Sequence, residues 1–146
     1  MITAKQELPE TFKLRLADER ECLAIGLTGI EAVKQSIKNS DFHHVVYDGD
    51  EMLAAWGYGT ASIFNKRCRA WLLTCDPIDR MIITFSRVSV KVMKFLFSSF
   101  EEVEVLVHND YKRSIKWLLW LGFEADGRSK DFTRMVAYRS KSRWVS

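Results

Sequence analysis

Cys75 and His108 are the two side chains in this sequence best suited to nucleophilic chemistry. Each closes an apolar, strand-like run, residues 69–75 (RAWLLTC) and 102–108 (EVEVLVH). A thiol becomes a nucleophile only beside a base or in a positive field, and an imidazole on a neighbouring strand would supply one. Without that partner, a cysteine ending a central strand is a buried structural thiol. His43 and His44 are also adjacent. Consecutive strand residues point to opposite faces, and no second ligand cluster stands nearby, so no metal site is expected. Asp48 and Glu51 are carboxylates that could take up a proton. They stand in or beside a hairpin turn, where a solvated side chain is the commoner occupant. Arg134, Arg139, Lys141 and Arg143, with Trp120 and Trp144, would suit an acidic protein partner, or else a solvated final strand.

These residues need elements to carry them. Phe12, Leu16, Glu19 and Leu23 recur at helical spacing after Pro9, and Gly26 is a natural stop. Thr28-Gly29-Ile30-Glu31 has capping-box spacing and opens a short helix through Ile37, ended by Asn39 or Ser40. Residues 44–47 and 52–56 flank Asp48-Gly49-Asp50, a hairpin signal for a type I′ turn. Gly57 and Gly59 then break or bulge the second strand. Residues 69–75 read as a buried central strand. Residues 76–100 allow two registers: a helix capped by Asp76 with Pro77 in its first turn, or an irregular 76–85 followed by a helix capped by Ser86. The second is preferred, because Ile82-Ile83-Thr84 is β-branched. Residues 102–108 alternate as a strand. Residues 112–121 form a helix with Ile115, Leu118 and Leu119 on its core side and Gly122 at its end, and strands begin at Phe123 and cover 134–138.

The chain has 146 residues, enough for one domain with its own core. Hydrophobic residues make up 47% and charged residues 28%, which excludes global disorder. The net charge of +3 falls short of the footprint of a dedicated nucleic-acid binder. Three cysteines without CxxC spacing, Cys22, Cys68 and Cys75, argue against a disulfide framework and for free thiols in a reducing compartment. The first ten residues carry charges and no apolar stretch, and no apolar run reaches about 18 residues. A cytoplasmic protein with no membrane partner is expected.

The element order resembles that of the GNAT superfamily of N-acetyltransferases. The most specific stretch is residues 105–123, VLVHNDYKRSIKWLLWLGF, which is similar to the family's strand, Asn, helix and Gly-Phe signature. Asn109 would end the fifth strand, and Gly122-Phe123 would lead into the sixth. The resemblance implies an α/β, acyl-CoA N-acyltransferase fold with a mixed sheet. A closer resemblance is to a family of small bacteriophage proteins that includes an internal virion (assembly) protein of T-odd podophages. It rests on the helical start, AAWG at 54–57, WLLTCD at 71–76 and the Asn-to-Gly tail. It implies a phage or prophage protein, located in the host cytoplasm or the virion.

The GNAT resemblance also implies a site. Acetyl-CoA would lie along the central strand, with Leu73 and Thr74 pairing their backbones with its pantetheine arm. Ser86 and Arg87 would hold the phosphates, joined by Ser89 and Lys91, and Asn109 would shape the cleft. Cys75 stands where the acetyl group would lie. Three features depart from the family pattern. The glycines of the pyrophosphate loop are missing, since no glycine lies between Gly59 and Gly122. Those glycines let backbone amides close on a phosphate. The helix position that often carries a tyrosine acid is Leu118, leaving Tyr111 as the substitute. The Asn-to-Gly spacing is longer than usual, by about two residues. The expectation is therefore a GNAT-fold phage or prophage protein with degenerate catalysis that acts by binding a protein in virion assembly or in the host. The alternative is an acetyl-CoA-dependent N-acetyltransferase with a remodelled loop. A nucleic-acid-binding accessory ranks third.

Overall fold

The computed structural model describes residues 2–75 and 81–145. The elements run β1 (Ile2–Lys5), α1 (Leu16–Ala24), α2 (Gly29–Lys38), β2 (Phe42–Asp48), β3 (Glu51–Ser62), β4 (Arg67–Thr74), α3 (Ile82–Phe97), β5 (Glu102–His108), α4 (Lys112–Leu121), β6 (Glu124–Arg128) and β7 (Phe132–Tyr138). The strands form one mixed sheet in the order β1-β2-β3-β4-β5-β7-β6, in which β4 and β5 run parallel. This is the mixed α/β class that the element order implies. The sequence pattern does not announce β1: ITAK is too short to show a period, and its antiparallel ladder with β2, from Ile2↔Asp48 to Lys5↔Val45, defines it.

The backbone divides into two compact units, Met1–Gly59 with Trp71–Ile82, and Thr60–Ala70 with Ile83–Ser146. In the first, Leu14, Cys22, Ala32, Val33, Val45, Tyr47, Met52, Ala55 and Cys75 form one buried cluster. The capping box that opens α2 is present: Glu31 N–H donates to the Thr28 hydroxyl at 3.2 Å, and the Thr28 N–H reaches the Glu31 carboxylate at 3.4 Å. α1 is turned from the expected face. Leu16 and Leu23 are 64% and 63% exposed, while Asp18 and Cys22 are the buried positions.

The β2–β3 turn differs from a type I′ turn. Asp48 pairs with Glu51, leaving Gly49 and Asp50 as the loop, and of these only Gly49 has positive φ, 63°. A glycine in the first loop position is the pattern of a II′ turn. β3 runs through Gly57 and Gly59 without breaking, and the register shift of this pair lies at Val46/Tyr47. Gly57 serves close packing instead. A Cβ there would overlap the Phe42 carbonyl oxygen and lie 3.0 Å from the Trp71 ring. The Trp71 indole N–H donates to the Ser40 hydroxyl at 2.7 Å.

In the second unit, β4 pairs with β5 over three residues, Arg67↔Glu102 to Arg69↔Glu104. β5 pairs with β7 along its whole length. Cys68, Met93, Leu96, Phe97, Val103, Leu118, Leu121 and Met135 are buried here. α3 begins at Ile82, so the β-branched Ile82-Ile83-Thr84 is helical and the register starting at Ser86 is corrected. Helix propensity differs by only tenths of a kcal/mol between such residues, too little to stop a helix that continues to Phe97. The Asp76 and Pro77 start lies outside the described residues. On α4, Leu118 and Leu121 are buried, whereas Leu119 is 52% exposed and leaves the expected core stripe. Gly122 ends the helix at φ 106°, with Phe123 N–H bonded back to the Leu118 carbonyl at 3.0 Å.

Candidate functional site

The end of β4 is tied to the start of α1. Cys75 N–H donates to the Leu53 carbonyl of β3 at 2.8 Å, so the Cys75 amide faces β3. Backbone groups of successive strand residues alternate in direction, which turns Leu73 toward β3 and Thr74 toward the opposite edge. Thr74 is the residue whose backbone could receive an extended ligand arm along that edge, and both of its groups are in use. Its N–H donates to Asp18 Oδ2 at 2.7 Å, and its carbonyl accepts the Arg15 N–H at 2.8 Å. The Thr74 hydroxyl donates to the same carboxylate oxygen. Leu14, 1% exposed, forms a single antiparallel bridge with Cys75. Leu14, Arg15 and the first turn of α1 thus form a strap across the end of β4, at Thr74 and Cys75.

Asp18 is buried, and burial holds its carboxyl above the ordinary carboxylate range, against the opposing pull of the Thr74 hydroxyl, the Thr74 amide and Arg15. Arg15 Nε lies 3.7 Å from Asp18 Oδ2. The sequence gives no sign of this carboxylate's role, since its partner stands 56 positions away.

Cys75 is 4% exposed within the apolar cluster of the first unit. That placement gives it the surroundings of a structural thiol, and no substrate-facing role follows from it. Burial also pushes the Cys22 thiol up to about 11 and Cys68 to about 12, which keeps both protonated at neutral pH.

His108 and Tyr111 come together at the end of β5. Their rings are 5.2 Å apart, and Phe132 meets the imidazole at 5.4 Å. Asp110 N–H donates to His108 Nδ1 at 3.2 Å, and the Asp110 carboxylate lies 3.7 Å from the same nitrogen. Asn109 is committed to structure. Its Nδ2 donates to the Ser129 and Lys130 carbonyls at 3.0 Å each, its Oδ1 accepts from Thr133 Oγ1 at 2.5 Å, and its N–H donates to Asp131 O at 2.8 Å. It clamps the β6–β7 turn with both of its amide N–H groups and its carbonyl oxygen.

Ser86 and Arg87 lie about one turn inside α3, and Arg87 is exposed. The free amides of a helix belong to its first turn, so neither residue caps it. The Ser89 hydroxyl is spent on the Phe85 carbonyl at 2.8 Å. Leu118, at the position of the family's tyrosine, is 5% exposed and donates no proton. Ser86 and Arg87 thus stand beyond the free amides of the first turn, and the Ser89 hydroxyl is already bonded. The connection where a phosphate loop would stand, residues 76–80, lies outside the described residues. Among the described residues, no group of three or more His, Cys, Asp or Glu is arranged to hold a metal, and no helix is long and apolar enough to cross a membrane.

No protein-family model matches the chain, and no curated protein does. Solved structures match it in fold. A protein provisionally assigned as a phosphinothricin N-acetyltransferase aligns over 94% of this chain and 98% of its own, with a TM-score of 0.67 and 14% identity. The ribosomal-protein-S5-alanine acetyltransferase from Vibrio fischeri aligns over 80% and 70%, with a TM-score of 0.60 and 16% identity. A chimera of the spermidine N-acetyltransferase SpeG from Vibrio cholerae and hSSAT aligns over 77% and 76%, with a TM-score of 0.61 and 12% identity. The order of elements, the β5–α4–Gly122 unit and these likenesses agree: this chain has the GNAT, or acyl-CoA N-acyltransferase, fold.

Proposed function

We propose that this GNAT-fold chain does not transfer acetyl groups and instead acts by binding another protein. One observation carries the reading: Thr74, whose backbone would receive the cofactor arm, is already bonded on both sides by Arg15 and Asp18 of the same chain. The buried Leu118 and the hydrogen bonds that tie Asn109 to the β6–β7 turn support it. The resemblance to small bacteriophage proteins points to a virion component or a host factor as the partner. A fold can keep its frame while its site changes, so the likeness to acetyltransferases does not by itself bring their reaction.

A second reading, an N-acetyltransferase with a remodelled phosphate loop, is favoured by one observation. The likeness to the phosphinothricin N-acetyltransferase structure extends over 94% of this chain. Calorimetric titration with acetyl-CoA, with CoA as the control, separates the two. The first predicts no binding, and the second predicts saturable binding.

A further inference from the structure

The turn between β3 and β4 presents an apolar tip for which the fold has no use. Ile63 is 83% exposed and Phe64 99%. Single exposed apolar residues are ordinary, but two large ones side by side at a turn are not explained by packing. Turn positions favour Asn, Asp, Ser, Gly or Pro, so the backbone asks for neither Ile nor Phe.

The turn is built to hold the pair outward. Lys66 N–H closes it onto the Ile63 carbonyl at 3.3 Å, Asn65 N–H donates to the Ser62 hydroxyl at 3.3 Å, and Lys66 takes φ 50°. Beneath it, the Lys66 carbonyl accepts the Glu101 and Glu102 amides at 2.9 and 3.2 Å. Arg67 grips Glu102 Oε1 through Nη2 at 2.6 Å and Nε at 2.7 Å.

The turn itself, residues 63–66, carries one positive charge. Glu101 is neutralised by Arg139 at 3.6 Å and Glu102 by Arg67, while Lys66 makes no ion pair among the described residues.

We propose that this tip is a membrane-contacting loop. Ile63 and Phe64 enter the headgroup–acyl boundary of an anionic lipid surface, and Lys66 faces the headgroups. Size favours lipid over a protein pocket. Two such side chains offer a few hundred Å², against about 800 Å² per partner in a stable protein interface. The residues flanking them, Ser62 and Asn65, are polar. A bilayer needs only a convex apolar tip with a cation beside it. The sequence expectation of no membrane partner rests on the lack of an apolar run, and a two-residue tip leaves no such run. The proposal is independent of the acetyl-CoA question.

Co-sedimentation with vesicles tests it, using phosphatidylcholine alone and phosphatidylcholine with an equal part of phosphatidylglycerol. The wild type pellets with the anionic vesicles at low salt. The Ile63→Ser/Phe64→Ser double variant partitions roughly tenfold or more weakly. Lys66→Glu weakens binding to the anionic vesicles and leaves phosphatidylcholine unchanged. The variants keep the wild-type circular dichroism and unfolding midpoint, because the tip packs against nothing. A wild type that stays in the supernatant overturns the proposal and returns the tip to a protein partner. A double variant that pellets like the wild type overturns it too.

Discussion

Asp18 and Thr74 are joined twice through one carboxylate oxygen, which accepts both the Thr74 backbone N–H, at 2.7 Å, and the Thr74 hydroxyl. This closes the strap of residues 14–18 onto the end of β4. Asp18→Ala leaves a buried amide and a buried hydroxyl without their acceptor and costs about 3 kcal/mol. Asp18→Asn keeps an acceptor and separates charge from geometry. The folded carboxyl's pKa is raised above its ordinary 3.8, so the folded state binds the proton more tightly. The group's contribution to stability is then full below pH 3.8 and is lost as pH rises through the folded value. Urea unfolding at a series of pH values checks the sign. The stability of the wild type relative to Asp18→Asn falls as pH climbs above 3.8. A difference that rises over that range contradicts the assignment.

Asn109 acts on the β6–β7 turn. Three side-chain hydrogen bonds hold residues 129, 130 and 133. Asn109→Ala costs about 2–3 kcal/mol, seen in denaturant titration. Hydrogen exchange speeds up in residues 128–133, and ligand response does not change. Unchanged stability would return the residue to a binding role.

Gly57 supports β2 and Trp71 by the absence of a side chain. Gly57→Ala drives a methyl into the Phe42 carbonyl and against the indole. The expected loss is about 3 kcal/mol, with a shift of the Trp71 fluorescence. An unfolding midpoint equal to that of the wild type would contradict this account of the contact.

The frame of the fold is legible in the sequence where local signals are strong. The Thr28–Glu31 capping box, the alternation of residues 102–108 and Gly122 after Leu121 each encode their element within a few residues. Illegible features depend on distant partners. Asp18 reads as an ordinary helix residue, because Thr74 is far along the chain. The rotation of α1 follows from the same contact, with Asp18 facing inward while Leu16 and Leu23 face solvent. Gly57 looks like a breaker until the Phe42 carbonyl and Trp71 are placed against it. Among the candidate site residues, His108 and Tyr111 do meet, whereas Asn109 and Thr74 turn out to be bonded internally.

The central claim is that the strap occupies the edge of β4 at Thr74 that a cofactor arm would need. Calorimetric titration of the purified chain with acetyl-CoA, with CoA in parallel, tests it most directly. The account predicts no saturable heat for either ligand. Binding with a micromolar dissociation constant, about −8 kcal/mol, would contradict it.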